Sequence, residues 1–462
     1  PSPQTFYQHT FIDEANYFQN KRPIDVSIGY YHSCVVFDDG SLECAGYDAY
    51  GSLGLGYITP SPHQQKTYKK VEIPNGLRIL DVEVNIHSTC ALDENSDVWC
   101  WGYNRGYVFG TDSTETNQYK PMKVRGFENI TIKKVYVGGD HQCALSNQSK
   151  VYCWGDDSYG KLGNGNYQSS TSIPTEVYLP NGLYAVQLDV SYHSTCVLTN
   201  EGSVYCWGSN DGRLGDGYTD NSETPGQVLL PFNDKIVRIK VGFSHSCALS
   251  ERGQMYCWGH NTYGQLGTES TWSGAGVTLV PVRADVIGEI LDFDVGRYHT
   301  CVLLVTQSIT CWGYYAQGQL GYGGTSDMGG AHKNVNLNSG SNQFNDATSI
   351  HLGGYSSCAI FDSGKMGCWG HNNQGQFGDG SGSNRVSPYY NKINPGSKTT
   401  QLRFDIGVEE RKTPYVDGLN FTVSSNPALP IGFSLDNRTG EIYFSGIGNV
   451  ALTNHVLTFS AR

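Results

Sequence analysis

A chain of 462 residues with 57 glycines and only 16% charged residues has the composition of a turn-rich β architecture and not of a disordered segment, and it is long enough for one large repeat domain plus a small one. The formal net charge of -12 argues against nucleic-acid binding, which requires a basic face to neutralise phosphates. No apolar run approaches the roughly 20 residues that cross a bilayer, so no membrane span is expected in this chain.

Residues 1–24 begin at Pro1 with no methionine and no signal-like segment, as in a processed secreted protein or a fragment. They carry no repeat and are expected to pack along the repeat domain of residues 25–398, or to add an outer strand that closes it. Within that domain one stretch recurs seven times, best seen as Val241-Gly-Phe-Ser-His-Ser-Cys-Ala-Leu-Ser-Glu-Arg-Gly-Gln-Met-Tyr-Cys-Trp-Gly259 followed by His-Asn-Thr-Tyr-Gly-Gln-Leu-Gly267. The copies pair Cys34 with Cys44, Cys90 with Cys100, Cys143 with Cys153, Cys196 with Cys206, Cys247 with Cys257, Cys301 with Cys311 and Cys358 with Cys368. Nine residues always separate the two, and the pairs use all 14 cysteines. First cysteines of successive copies lie 51 to 57 residues apart, a period that marks stacked or radial repeats. Six copies end in Cys-Trp-Gly (Trp101, Trp154, Trp207, Trp258, Trp312, Trp369); the first has Ala45 in that place.

Short apolar runs flanking a polar turn read as a β-hairpin. If Cys34 lies opposite Cys44, the pairs 35/43, 36/42 and 37/41 follow and leave a three-residue loop at 38–40. Gly40, Gly202, Gly253 and Gly364 then fall at the third loop position, where a type I turn plus bulge needs a left-handed residue. Directly opposed residues have Cα atoms roughly 4.5–5.5 Å apart, within disulfide reach. Two other readings compete. Zinc sites use close Cys-x-x-Cys pairs, of which the sequence has none; buried reduced thiols leave the constant register without a use. Seven cross-strand disulfides, and with them an oxidising compartment, are the expectation.

Each Trp-Gly leads into a glycine-punctuated loop, such as Gly155-Asp-Asp-Ser-Tyr-Gly-Lys-Leu-Gly163 and Gly370-His-Asn-Asn-Gln-Gly-Gln-Phe-Gly378. This Trp-Gly-x-Asn/Asp-x-x-Gly-x-Leu-Gly pattern, with the upstream Val-x-x-Gly-x-x-His-x-Cys-Ala-Leu, resembles the repeat of the regulator of chromosome condensation family over about residues 25–395. Tyr107 stands where a loop glycine is expected, Gly212 comes one residue early, and Ser356 replaces a recurring histidine. The resemblance implies an all-β fold, a seven-bladed β-propeller with four short strands per blade. Radial packing agrees with that, since it buries both faces of each short sheet and leaves few edges. Kelch-like blades share the period but not the Trp-Gly and Gly-x-Leu-Gly spacing.

The recurring His32, His87, His141, His193, His245 and His299 read as structural residues, each bonding the backbone of its own blade. Tyr47, Tyr50, Tyr103, Tyr107, Tyr159, Tyr263, Tyr314 and Tyr315 in the loops after Trp-Gly should fall on one rim, a candidate interaction surface because tyrosine is enriched at interfaces. The polar, glycine-rich stretch 321–341 of the sixth repeat should lie on the surface. From 399 to 462 alternating short strands describe a small sandwich. Leu429-Pro-Ile-Gly-Phe-Ser-Leu-Asp-Asn-Arg-Thr-Gly-Glu-Ile-Tyr-Phe-Ser-Gly446 there resembles the signature of immunoglobulin-like (cadherin-like) domains of extracellular proteins. Four Asn-x-Ser/Thr sequons, at Asn129, Asn147, Asn420 and Asn437, are candidate N-glycan sites in an oxidising compartment.

No nucleophile elbow, phosphate loop, zinc-protease helix or calcium loop is present, and adjacent acids such as Asp38-Asp39 and Asp156-Asp157 suit turns. No catalytic residue, metal site or cofactor is expected. The sequence thus reads as a non-enzymatic extracellular or cell-surface glycoprotein, a structural or adhesive subunit that binds proteins, including copies of itself, in a fibre, hair or sheath. The alternative is a soluble extracellular binding protein, an inhibitor, receptor or lectin-like molecule, that uses one face of the propeller. Nucleotide exchange on a small GTPase, the activity of a founding family member, conflicts with a disulfide-bonded chain.

Overall fold

The cysteine spacing sets the hairpin from which each blade grows. In the computed structural model Cys34 pairs with Cys44 across the strands His32–Phe37 and Leu42–Tyr47, with Val36 opposite Leu42 and the loop closed by Phe37 and Ser41. The same register holds in all seven copies. Cys34 is bonded to Cys44, Cys90 to Cys100, Cys143 to Cys153, Cys196 to Cys206, Cys247 to Cys257, Cys301 to Cys311 and Cys358 to Cys368. The Cα atoms of each pair lie 4.1 Å apart, slightly closer than the expected spacing of opposed residues, and no cysteine is free. The third loop residue is left-handed every time. Gly40 (φ 77°), Gly202 (80°), Gly253 (74°) and Gly364 (77°) meet the expectation, and Ser96 (66°), Ser149 (62°) and Gln307 (65°) adopt the same conformation without being glycine.

Described are residues 21–104, 109–110, 115–166, 170–231, 234–268, 276–325, 332–337 and 346–390, with 400–401, 421–426, 433–435, 442–444 and 456–461. The chain separates into two units, 1–393 and 394–462. In the first, an inner strand precedes each hairpin and an outer strand follows it, so that consecutive segments build seven four-stranded antiparallel sheets. This is the seven-bladed propeller. Its first inner strand, Pro23–Ile28, starts two residues ahead of the expected boundary. The outer place of the last blade is filled by that blade's own Arg385–Tyr390; residues 1–20, expected to pack along the propeller or to add an outer strand, lie outside the described ones. In the second unit, Thr400–Gln401, Val456–Ala461 and Phe421–Asn426 form one small sheet, and Phe433–Leu435 pairs with Ile442–Phe444. Most residues of the expected immunoglobulin-like sandwich, Asn420 and Asn437 among them, lie outside the described ones, as do 326–331 and 338–341 of the stretch 321–341.

Blades meet in seven apolar layers, in six of which the disulfide of one blade faces the tryptophan of the next, as Cys247 and Cys257 face Trp312. In five of these six layers the indole N–H donates to a carbonyl in the Gly-x-Leu-Gly turn of the preceding blade: Trp101 to Ser52, Trp207 to Lys161, Trp258 to Arg213, Trp312 to Gln265 and Trp369 to Gln319, at 2.8–3.0 Å; the buried Trp154 indole nitrogen has no partner among the described residues. The closing glycine of the turn lies beneath the ring. A Cβ on Gly267 would come within 2.7 Å of the Trp312 indole nitrogen, so no larger residue fits. The Asn or Asp of the motif clamps the turn from inside, its Oδ1 accepting the buried leucine's N–H, as Asp48 does for Leu53 at 3.0 Å and Asn261 for Leu266 at 3.0 Å. Where Ala45 replaces tryptophan, Tyr68 of the outer strand takes over. It is 3% exposed, its hydroxyl bonds Ser33 at 2.9 Å, Ser33 donates to the Gln376 carbonyl, and Gly378 lies against its ring.

The histidines divide into two sets, and the expectation that all bond their own blade is overturned. His32, His141, His245 and His299 are fully buried and reach the next blade, their Nε2 bonding Thr89, Thr195, Thr300 and Ser357 at 2.8–3.0 Å. A strand residue pointing into the layer meets its neighbour's side chain before its own backbone. His87 and His193 stand one residue earlier, in turns, and serve elsewhere.

Replacing Gln307 by glycine relieves a left-handed non-glycine backbone and should raise stability by about 1 kcal/mol, read as a higher urea midpoint at unchanged m-value. Burial pushes the His245 and His299 imidazoles down to about 3, while the unfolded chain takes up these protons near pH 6.5. Their contribution is therefore whole above about pH 6.5 and is lost as pH falls toward the folded value. His245→Gln should reduce the slope of stability against pH between about 6 and 4 by about 1.4 kcal/mol per unit, measured by urea unfolding at each pH.

Candidate binding face

Strands that alternate in direction send the first-to-second turns and the third-to-fourth loops of every blade to one face of the disc, and the second-to-third hairpins and blade links to the other. The first face is aromatic. Tyr47, Tyr50, Tyr103, Tyr263, Tyr314 and Tyr315 stand on it and touch one another, Tyr50 and Tyr103 at 4.9 Å between centroids and Tyr263 and Tyr314 at 4.8 Å. Tyr159 lies on the same face in the third blade, 49% exposed and left-handed (φ 68°), apart from the ring contacts. Tyr107 lies outside the described residues.

The turns between first and second strands supply the rest, and sequence reasoning missed them. Tyr30, Tyr31, His87, Tyr192, His193, Phe243, Tyr298 and Tyr355 join the loop tyrosines into one arc. It runs Tyr103–Tyr50–His87–Tyr31–Tyr30–Tyr355–Tyr298–Phe243–Tyr192–His193, with centroid steps of 4.6–6.2 Å, and touches six of the seven blades. The signal was there: an aromatic residue recurs just ahead of the histidine position, in Gly29-Tyr-Tyr-His32, Gly242-Phe-Ser-His245 and Gly296-Arg-Tyr-His299. The third blade has Gly138-Gly139-Asp140 instead, and a Cβ on Gly139 would meet the Tyr192 ring at 2.2 Å. The arc opens there because a neighbour's ring fills the space.

Arg297 lies inside the arc at the mouth of the central channel. Its guanidinium carbon is 4.3 Å from the Phe243 centroid, 4.9 Å from Tyr30, 5.0 Å from Tyr298 and 5.5 Å from Tyr355, and its Nε is buried without a hydrogen-bond partner among the described residues. Four rings hold the cation by their negative faces, and no carboxylate among the described residues pairs with it.

Below the mouth the inner strands turn charged residues into the channel, which holds cavities of about 200 and 420 Å³. Their charges brace neighbouring blades. Lys134 pairs with Asp81 at 3.3 Å and Glu83 at 3.4 Å, Lys240 with Asp294 at 3.2 Å, and Arg238 with Asp292. Asp189 accepts the Val241 N–H at 2.7 Å and Asp294 the Leu352 N–H at 2.7 Å, capping the edge of the adjoining inner strand. Burial pushes the Asp189 carboxyl up to about 7, against the pull of Lys240. These groups satisfy backbone and counter-charge; no nucleophile and base converge among them. No group of three or more described His, Cys, Asp or Glu residues is placed to hold a metal, and no described helix is long and apolar enough to cross a membrane.

Among curated proteins the chain is 27% identical to the ultraviolet-B receptor UVR8 of Arabidopsis thaliana over 66% of its own length and 68% of that protein. It is 30% identical to the E3 ubiquitin-protein ligase HERC2 of Homo sapiens over 57% of its length but 5% of the ligase, and 30% identical to the probable ligase HERC4 over 68% of its length and 29% of that protein. Among solved structures, human WBSCR16 superposes with a TM-score of 0.68 at 19% identity, covering 79% of this chain and 96% of that one. Prp20p of Saccharomyces cerevisiae, described with its binding to Gsp1p and histones, gives 0.62 at 20% over 71% and 80%. Residues 7–302 match the RCC1-like domain, and with seven blades built on one hairpin register the chain belongs to the RCC1-like propeller family.

Proposed function

We propose that this propeller is a non-catalytic protein-binding module whose partner docks on the aromatic face around Arg297, in an extracellular or cell-surface setting. The arc of rings carries the reading. Tyrosine and arginine dominate binding hot spots because they bring large contact area and a polar handle at small entropic cost, and here they are gathered without a break across six blades. A protein partner that lays an apolar patch over the rings and sets a carboxylate on Arg297 would pair a half-buried cation that has no counter-charge among the described residues. The binding of Gsp1p and histones described for Prp20p supports a binding role for the fold. The ligase relatives extend far beyond the shared region, so no ligase activity is proposed. Seven disulfides support the compartment, since such bonds persist where thiols are not kept reduced.

The finer form of the proposal makes the partner another copy of the chain, giving the structural or adhesive subunit expected from the sequence. Every copy presents the same face, and an aromatic surface can meet its own kind. Sedimentation velocity across a concentration series separates the two. Self-association that Tyr50→Ser, Tyr103→Ser, Tyr263→Ser and Tyr314→Ser together abolish assigns the face to copies; a monomer throughout assigns it to a foreign partner, to be captured on the immobilised protein from its native surroundings.

Arg297→Ala should weaken either association about 30-fold, roughly 2 kcal/mol for a hot-spot residue, and equal association by wild type and variant would remove the face from the reading. Free-thiol titration of the unfolded, unreduced protein should count close to none of the 14 cysteines; a count near all of them would remove the extracellular setting.

A further inference from the structure

The face opposite the arc carries a pair of sites of another chemistry. We infer that Asn129 and Asn147 both bear N-linked oligosaccharides, side by side at the third blade. The inference rests on the oxidising, extracellular reading above. Both asparagines open a sequon, Asn129-Ile-Thr131 and Asn147-Gln-Ser149, and both are exposed. Asn129 lies in the link between the second and third blades in a left-handed conformation (φ 72°). Asn147 is the first residue of the third blade's hairpin loop, between the strands His141–Ser146 and Val151–Gly155. Links and hairpins share one face, and the two sequons are tied together there, the Asn147 backbone N–H donating to the Thr131 carbonyl at 2.9 Å.

Glycosylation needs a carboxamide that the fold has left free. The motif asparagines of the aromatic face do not qualify: Asn104, Asn210, Asn261 and Asn372 are largely buried and spend their side chains on turn clamps, and none begins a sequon. Asn129 and Asn147 have no side-chain hydrogen bond within the described protein, and Thr131, whose hydroxyl completes the first sequon, is exposed. In the transfer, Nδ2 of each asparagine bonds to C1 of the first sugar of a lipid-pyrophosphate-linked oligosaccharide. The C1–O bond to the pyrophosphate breaks, the lipid pyrophosphate leaves with the electron pair, and one amide proton passes to base. Two bulky polar chains on one blade would close that face to protein contact while the arc stays bare, so association is confined to one side of the disc.

Peptide mapping of the protein purified from its natural source, treated with peptide N-glycosidase in heavy-oxygen water, should find labelled aspartate at both 129 and 147. In protein secreted by a eukaryotic host, Asn129→Gln and Asn147→Gln should each remove one step of gel mobility, and the double variant should keep its association through the arc within about twofold. Native protein with intact disulfides and an unmodified asparagine at either position overturns the pair and leaves the compartment standing; free thiols overturn the compartment itself. A double variant that is fully secreted but loses association through the arc overturns the separation of the two faces.

Discussion

The structure depends on one contact repeated around the ring, the tryptophan of each blade set over the Gly-x-Leu-Gly turn of the blade before it. Three groups meet there and each constrains the others. The indole N–H needs an acceptor, because an unpaired buried donor costs about 1–3 kcal/mol, and the turn carbonyl supplies it. The carbonyl comes within reach only because the next glycine has no side chain to hold the ring away. The turn keeps its shape because an Asn or Asp inside it accepts the leucine N–H. Behind the ring lies the disulfide of the preceding blade. Four features of the repeat that look separate in sequence, Cys, Trp, Asn/Asp and Gly-x-Leu-Gly, are thus one object, and that object is an interface between blades.

The first blade tests this. Ala45 removes the indole, and an empty layer at the ring closure would leave a cavity the size of a tryptophan. Tyr68 enters from the outer strand, buries its ring over Gly378 and reaches the carbonyl of Gln376 through the Ser33 hydroxyl. The layer keeps its volume and its hydrogen bond with a different residue from a different strand. What is held constant around the ring is the occupied space; the bond to the turn carbonyl accompanies it in every layer but that of Trp154, whose indole nitrogen has no partner among the described residues.

Hairpin register was legible because pairing across two strands is integer arithmetic: a disulfide fixes one rung, every other rung follows, and the left-handed position follows from those. Ser149 and Gln307 adopt it for that reason although their residue type points elsewhere. The histidines were misread because the count of two or three residues before the cysteine hides a change of environment. At two, the side chain enters the layer and meets the next blade; at three, it sits in a turn and joins the aromatic face, as His87 and His193 do. The cage around Arg297 was not legible at all. Its four rings come from the first, fifth, sixth and seventh blades, and spacing along one repeat says nothing of what converges at the axis.

Convergence also explains why the channel and the face have different fates. Inner strands present bare edges toward their neighbours, and in a closed ring those edges must find donors and acceptors in the channel. Asp189, Asp292 and Asp294 do this with carboxylates that accept N–H groups of the adjoining blade, and Lys134, Arg238 and Lys240 balance part of their charge. The channel's polar groups are therefore consumed by ring closure. At the mouth the strands have ended and no edge remains to be capped. Arg297 stands beyond the last rung with four rings about it and no counter-charge among the described residues, so of the cationic side chains named along the axis it is the one whose pairing is left to something outside the chain.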